Sequence, residues 1–334
     1  MGDKHRVRFE PVDVEIEVDE EETILDAAFR QGVMLMHGCK EGQCSSCKSF
    51  LLDGDLQMDR YSTFALADYE SEEGYVLLCK AHAYSDLEIE LINYDEETIR
   101  AGVPPRLVDT EVAAIEPLTH DITALRLVPV EELPFLPGQY ADIRIPGTDD
   151  EWRSFSMANT GRDRLDFIIK CYPGGRFSGL LRDGLRPGDL LQVKGPYGAF
   201  TLREKSARDI VFVGGGAGMA PILSLLTQMR EQDVRRRTRY YYGARTAHDL
   251  FHLDLMAGFE NDLPDFRFVP VLSEQGGGLV TEALDQAEAD LSEVDAYLCG
   301  PPPMIDAAIP LLESKGVPRE RIYFDKFTTT AGSQ

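Results

Sequence analysis

Four cysteines constrain this chain more than any other feature. Cys39, Cys44 and Cys47 stand as C-x4-C-x2-C within HGCKEGQCSSCKS, and Cys79 follows in YVLLCKAH after 31 intervening residues. Three thiols on one short loop and a fourth from a distant segment can close a four-sulfur cage if the loop wraps what it holds. Gly38, Gly42, Ser45 and Ser46 suit such a loop. Small residues let the backbone approach closely, take unusual φ/ψ and point N–H groups at sulfur.

Other uses of the cysteines fit less well. Disulfides belong to oxidising compartments, and the N-terminus MGDKHRVRFE is charged and lacks the apolar core of a secretory signal. A thioredoxin-like redox pair at Cys44-Ser-Ser-Cys47 would need a βαβ context, which is missing. Zinc more often takes two C-x2-C pairs, and only one is present. A Rieske centre needs two His ligands, and Cys79-x2-His82 imitates only half of that. The spacing is that of a plant-type [2Fe–2S] cluster, with Cys39, Cys44, Cys47 and Cys79 as ligands. Such a centre moves one electron at a time, so the rest of the chain should contain the electron source.

The length of 334 residues predicts two or three domains, and 43% hydrophobic residues can build full-sized cores. The net charge of −24 is uneven. Residues 1–98 hold 24 Asp/Glu against 8 Lys/Arg, two thirds of the excess. Nucleic acid and anionic membrane surfaces are poor partners for such a surface. A basic patch on a redox partner is a better one, since complementary charge steers encounter. Residue 6 is Arg, so Gly2 opens no myristoylation motif. The uncharged run from Ile210 up to Arg230 carries GGGAGMAP at its centre and reads as strand, glycine turn and helix rather than a membrane span. The expectation is a soluble, cytoplasmic protein.

Residues 1–98 read as a small α+β domain. RVRFEPVDVEIEV alternates as two strands about Pro11, and Thr23 can cap the helix ILDAAFRQG, which Gly32 ends. SFLLDGDLQ predicts a hairpin around Asp53-Gly54, Tyr75–Cys79 a strand delivering the fourth thiol, and DLEIELI a closing strand. The polar stretch from Tyr94, with Pro104-Pro105, supplies a linker over 99–107. Residues 108–204 hold strand-like runs broken by Pro and Gly with one helical piece, FSGLLRDGL, which predicts a six-stranded antiparallel barrel. Over 205–334 strands alternate with helices, as in a parallel α/β sheet.

Four motifs in the last two regions resemble the ferredoxin–NADP reductase superfamily. Arg153-Ser154-Phe155-Ser156 is similar to its R-x-Y-S flavin motif. There the Arg can clamp a pyrophosphate, the Ser can hydrogen-bond the flavin edge, and Phe155 replaces the usual Tyr, keeping the aromatic face without the hydroxyl. Tyr172-Pro-Gly-Gly-Arg-Phe-Ser178 places Gly174 and Gly175 before a helix whose first turn holds Phe177 and Ser178, a phosphate cradle. Lys170 is counted with these flavin contacts. Gly214, Gly215, Gly216 and Gly218 precede the helix PILSLL; Met219 stands where G-x-G-x-x-G would need its third Gly, yet the run matches the family's own pyridine-nucleotide loop. Cys299-Gly300-Pro301-Pro302 resembles the turn beside nicotinamide and flavin, where the sulfur is a soft contact and not a nucleophile.

Smaller signals refine this resemblance. Glu274, in VLSEQ, stands where NADP-using members often carry Arg; it would repel a 2′-phosphate and could accept from a 2′-hydroxyl, which favours NADH. Tyr323-Phe-Asp-Lys-Phe327 resembles the family ending, with Phe327 to cover the flavin and Asp325 near its edge. Gly243-Ala-Arg245 is expected to line the adenosine side. The resemblance makes Ser156, Cys299 and Phe327 the catalytic set.

Across nearly its whole length the chain resembles reductase components of bacterial soluble di-iron monooxygenases, of the propane and tetrahydrofuran type. The likeness lies in HGCKEGQCSSCKS, YSTFA, EGYVLLCKAHA and YYYGARTAHDLF. It implies a multidomain protein: an N-terminal β-grasp ferredoxin, an FAD-binding barrel and an NAD-binding parallel-sheet domain. Electrons would run from NADH to FAD to [2Fe–2S] and on to a separate hydroxylase, docked through the acidic ferredoxin domain. No His has Glu three residues before it, so a carboxylate di-iron site is not expected in this chain. Reductases of Rieske ring-hydroxylating dioxygenases share the three modules and remain an alternative, as does a stand-alone electron-transfer module.

Overall fold

The computed structural model describes residues 2–100, 102–148 and 150–327 and divides into two compact units. The first unit comprises residues 1–106 together with 196–199. Its strands are β1 (Lys4–Glu10), β2 (Val14–Asp19), β3 (Lys48–Asp53), β4 (Leu56–Met58), β5 (Tyr75–Leu77), β6 (Ala81–Ala83) and β7 (Leu87–Leu91). Its helices are α1 (Ile24–Arg30), α2 (Asp68–Glu73) and α3 (Glu96–Arg100). Five strands form one sheet in the order β2-β1-β7-β3-β5, with β1 and β7 parallel at its centre. Alternation in β1 and β2 buries Val7, Phe9, Ile16 and Val18. Against them α1 turns Ile24, Leu25, Ala27, Ala28 and Phe29. Full burial of a Phe or Leu contributes about 2 kcal/mol, so this face sets the unit's stability. Thr23 caps α1, its side chain accepting from the Asp26 N–H at 3.1 Å.

Two local expectations for this unit are corrected. The residues SFLLDGDLQ do not form a hairpin, because β3 pairs with β5 and β7 whereas β4 pairs with β6. A bulge between Leu51 and Asp53 and the φ of +101° at Gly54 turn the chain out of the sheet there. A Cβ on Gly54 would lie 2.4 Å from the Asp86 carbonyl, so the turn is packed and not open. The polar stretch expected to supply the linker begins as α3, whose Thr98 and Ile99 are buried. The Arg100 guanidinium donates to the Val12 carbonyl at 2.9 Å, holding α3 on the first unit.

The second unit carries a barrel and a parallel sheet. The barrel strands are β8 (Arg106–Pro117), β9 (Ile122–Pro129), β10 (Tyr140–Arg144), β11 (Trp152–Ser156), β12 (Leu165–Lys170) and β13 (Leu190–Tyr197). They run in the order β11-β10-β13-β8-β9-β12, and a bridge between Met157 and Phe167 brings the two edges together. Val112, Leu125, Leu127, Ile143, Phe167 and Val193 fill the interior. The short helix α4 (Arg176–Gly179) runs on into one wider turn, Leu180–Gly184.

The sheet strands are β14 (Asp209–Gly215), β15 (Thr238–Ala244), β16 (Phe266–Leu272), β17 (Val294–Gly300) and β18 (Ile322–Lys326), all parallel, in the order β16-β15-β14-β17-β18. Helices α5 (Met219–Glu231), α6 (Leu253–Asp262), α7 (Val280–Ala287) and α8 (Pro302–Ser314) connect them. Every residue of β17 is buried, as expected where both faces of a parallel sheet are covered. The strand order reverses at β14, which puts a ligand crevice at its carboxyl end, where Gly214–Gly218 lie.

Candidate functional site

The cysteine loop is shaped by backbone conformation before any side chain acts. Lys40, Gly42 and Ser45 all have positive φ, which curls the loop and turns its N–H groups inward. The Glu41 and Gln43 N–H groups donate to Cys39 Sγ at 3.4 and 3.2 Å, and the Cys39 N–H donates to Cys44 Sγ at 3.3 Å. A Cβ on Gly38 would lie 2.9 Å from Cys44 Sγ, so that position leaves no room for a side chain. Cys79 arrives just beyond β5, where the Leu78 N–H donates to the Cys47 carbonyl at 3.2 Å.

The thiols associate two by two. Cys39 holds the Cys44 thiol low, with a pKa of about 5, through the hydrogen bond between them; Cys47 does the same for Cys79. Within each pair the partner, Cys39 or Cys47, is pushed up by that same hydrogen bond and by burial. Cys39 and Cys44 are partly exposed, whereas Cys47 and Cys79 are buried. Two thiol pairs with N–H groups aimed at sulfur suit a cluster of two irons, each needing two thiolates.

In the second unit the barrel and sheet motifs converge. Ser156 is buried at the end of β11, and its hydroxyl donates to the Asp325 carboxylate at 3.3 Å across 169 residues of sequence. Asp325 lies beside Cys299 in the β17–β18 register. The Cys299 thiol is wholly buried, and burial together with Asp325 pushes its pKa well up. It stays protonated, packed within the sheet. The Phe327 N–H donates to the Gly300 carbonyl at 2.9 Å, which fastens the aromatic residue against the same turn.

The remaining flavin-motif residues lie on β11, on β12 and at α4. The Phe155 ring sits 4.8 Å from that of Phe177, partly buried at the barrel core. Ser178 accepts from the Tyr172 N–H at 2.9 Å, which closes the turn through Gly174 and Gly175 ahead of α4. Arg153 lies 3.6 Å from Glu151, and Lys170 pairs with Asp121. Ser154 points the other way, donating to Asp142 at 2.5 Å on an exposed face. Asp121 also lies 3.7 Å from Arg245, a residue 124 positions away. Nothing in the sequence joins Asp121 to Lys170 or Arg245, and only folding shows that both bases are partnered.

The glycine loop and the Cys299 turn interlock. A Cβ on Gly218 would lie 2.1 Å from the Cys299 carbonyl, so no other residue fits. A Cβ on Gly300, whose φ is +138°, would lie 2.9 Å from the Gly215 carbonyl. Pro301 caps α8 directly beyond this turn. Gly214, Gly215, Gly216 and Gly218 thus lead into the N-terminus of the 13-residue helix α5, a place suited to an anionic pyrophosphate. Glu274 is exposed beyond β16, and its N–H donates to the Arg245 carbonyl at 2.9 Å, which joins it to the end of β15.

Fold and site define a pyridine-nucleotide-dependent iron–sulfur flavoprotein. Residues 7–84 match the 2Fe-2S iron-sulfur cluster binding domain family, 109–202 the oxidoreductase FAD-binding domain, and 212–309 the oxidoreductase NAD-binding domain. The propane 2-monooxygenase reductase component of Gordonia sp. (strain TY-5) is 54% identical, with 99% of both chains covered. That of Rhodococcus jostii (strain RHA1) is 53% identical over 99% of this chain and 93% of its own length. The chain belongs to this family of monooxygenase reductase components. The crystal structure of an Amycolatopsis cytochrome P450 reductase superposes with TM-score 0.85 at 30% identity, covering 97% of this chain and 99% of that one. The protein is an oxidoreductase that uses NADH, FAD and a [2Fe–2S] cluster to pass electrons in that order. Among the described residues, no helix is long and apolar enough to cross a membrane.

Proposed function

We propose that this chain supplies electrons to the hydroxylase of a propane-type di-iron monooxygenase. Three domains divide the work, with boundaries at 1–98, 108–204 and 205–334. Cys39, Cys44, Cys47 and Cys79 hold the cluster, and the loop N–H groups on Cys39 and Cys44 sulfurs stabilise its negative charge. FAD, when bound, accepts two electrons together from NADH and releases them singly.

The chain's own residues bind and orient. Arg153, Lys170, Gly174, Gly175, Phe177 and Ser178 hold the flavin's phosphates and ring system, with Ser154 and Phe155 on the same strand. Gly214, Gly215, Gly216, Gly218, Gly300 and Pro301 seat the nucleotide, and Glu274 selects the 2′-hydroxyl. Ser156 holds a proton at Oγ, oriented by Asp325, while Cys299 and Phe327 exclude water from the flavin face. The acidic ferredoxin domain docks on the hydroxylase.

The observation that supports the cluster assignment is the inward aim of the loop N–H groups, from Glu41 and Gln43 to Cys39 Sγ and from Cys39 to Cys44 Sγ. The choice of hydroxylase rests on relatives more than half identical over nearly the full chain. The test is NADH-driven propane oxidation by the purified holoprotein, with and without the hydroxylase of such a monooxygenase. Product that needs both components supports the reading. Product formation with an iron-free preparation, or only with a Rieske oxygenase, defeats it.

A further inference from the structure

Phe64 is 96% exposed, the most exposed large apolar side chain among the described residues. Its neighbours Ala65 and Leu66 are buried, so the turn is anchored while its aromatic ring stands outward. Two hydrogen bonds close the turn: the Ala65 N–H donates to the Ser62 carbonyl at 2.9 Å, and the Phe64 N–H to Ser62 Oγ at 3.3 Å. It is also fastened to the cysteine loop at two points. The Ser62 N–H donates to the Gly42 carbonyl at 3.0 Å, and the Ser45 hydroxyl donates to the Ala65 carbonyl at 2.8 Å. Gly42 and Ser45 flank Cys44, one of the two partly exposed thiols of the cysteine set Cys39, Cys44, Cys47 and Cys79.

Beyond this turn α2 begins, and it buries no residue. Lys48 pairs with Glu70 at 2.6 Å and fixes the helix by one side. Asp68, Glu72 and Glu73 are exposed and have no ion-pair partner among the described residues, and Tyr69 is 65% exposed. Glu41, on the cysteine loop itself, is exposed as well. A fixed aromatic with acidic neighbours has the make-up of a transient interface, in which a central aromatic carries the binding and charged residues at the rim steer encounter. Electron tunnelling falls off exponentially with distance, so the acceptor must approach near the thiols, and the turn that carries Phe64 is hydrogen-bonded to the loop that carries three of them.

We propose that Phe64 is the apolar anchor on which the electron-accepting hydroxylase docks, with Asp68, Tyr69, Glu72 and Glu73 as the rim. This rests on the proposed function above and names its docking surface. The occupant is an oxygenase face with an apolar pocket inside a basic rim.

The test compares the wild-type holoprotein with Phe64→Ser and with the triple variant Asp68→Asn, Glu72→Gln, Glu73→Gln. Three readouts are taken: product formation against titrated hydroxylase, ferricyanide reduction by NADH, and stopped-flow bleaching of the cluster by NADH. For Phe64→Ser the apparent KM for hydroxylase rises about tenfold or more, with ferricyanide reduction and cluster bleaching unchanged. For the triple variant the rise is smaller and the salt dependence of turnover flattens. An unchanged hydroxylase KM overturns the proposal. Slowed cluster bleaching also overturns it, by making Phe64 part of internal electron transfer. A change of sedimentation coefficient in Phe64→Ser overturns it in favour of a second copy of this chain. If the wild type gives no product with hydroxylase, the functional reading itself has failed, and that outcome is distinct from all of these.

Discussion

The cysteine loop and the glycine loop are the two segments proposed to receive anionic groups, yet they are built on opposite plans. In residues 38–47 the specificity lies in side chains: thiols at set spacing, on a backbone that Lys40 and Ser45 enter at positive φ without being glycine. In residues 214–218 the specificity lies in the missing side chains. Gly218 meets the Cys299 carbonyl and Gly300 meets the Gly215 backbone, so each segment needs the other's glycine. The first loop is local apart from Cys79, whereas the second is completed by a turn 81 residues further on. A side-chain site should fail in its chemistry while keeping its fold. A backbone site should fail in both.

The contrast can be broken most sharply at the ligands. Cys47→Ser should abolish the iron and acid-labile sulfide content while flavin absorbance and NADH-driven ferricyanide reduction persist. Retention of both irons would remove Cys47 from the ligand set. Next comes Gly218→Ala, which puts a Cβ into the Cys299 carbonyl. A loss on the order of 3 kcal/mol is expected from such a backbone clash, seen as a lowered thermal midpoint together with lost NADH saturation. If only NADH binding suffers, the interlock is looser than its distances imply.

Ser156→Ala removes one hydrogen bond, to Asp325, and nothing from the fold. The rate of flavin reduction by NADH should fall about fivefold, in line with about 1 kcal/mol for such a bond, at unchanged flavin content. Asp325→Asn should fall by a similar factor, and additive losses in the double variant would show that the two do not act together. Glu274→Gln should raise NADPH turnover relative to NADH by a few-fold, since one repelling charge is removed at an exposed position; an unmoved ratio would take Glu274 out of cofactor selection.

The smallest effect concerns protons on the cysteine loop. Cys44 has its pKa lowered to about 5 by its hydrogen bond with Cys39, so its thiolate is fully present at neutral pH and is lost only as pH falls through that value. In demetallated protein, alkylation of Cys44 read by mass spectrometry should change less than about twofold from neutral pH down to about pH 6. An ordinary thiol would lose roughly tenfold per pH unit over the same range.

Much of this architecture was legible in the residues. Thr23 announced the start of α1, the alternation of β1 and β2 announced their pairing, and the glycine run after IVFV announced the crevice end of β14. The reading failed at Asp53-Gly54, where a turn signal was present but strand partners were chosen by distant segments. It failed again at 96–100, where a polar surface concealed two buried residues, Thr98 and Ile99, that hold α3 in place. Asp121 carried no signal at all, although it pairs with Lys170 and lies near Arg245.

Thiol spacing, glycine runs and hydrophobic period are local properties, and local covalent geometry allows few ways to satisfy them; they determined the cluster ligands and the kinds of layer, while the flavin and nucleotide were read from resemblance. Which thiol associates with which, where Ser156 finds its acceptor, and why Phe64 is left in water were decided by contacts between segments far apart in the chain. Such contacts depend on packing the whole unit at once, and no stretch of residues carries them by itself.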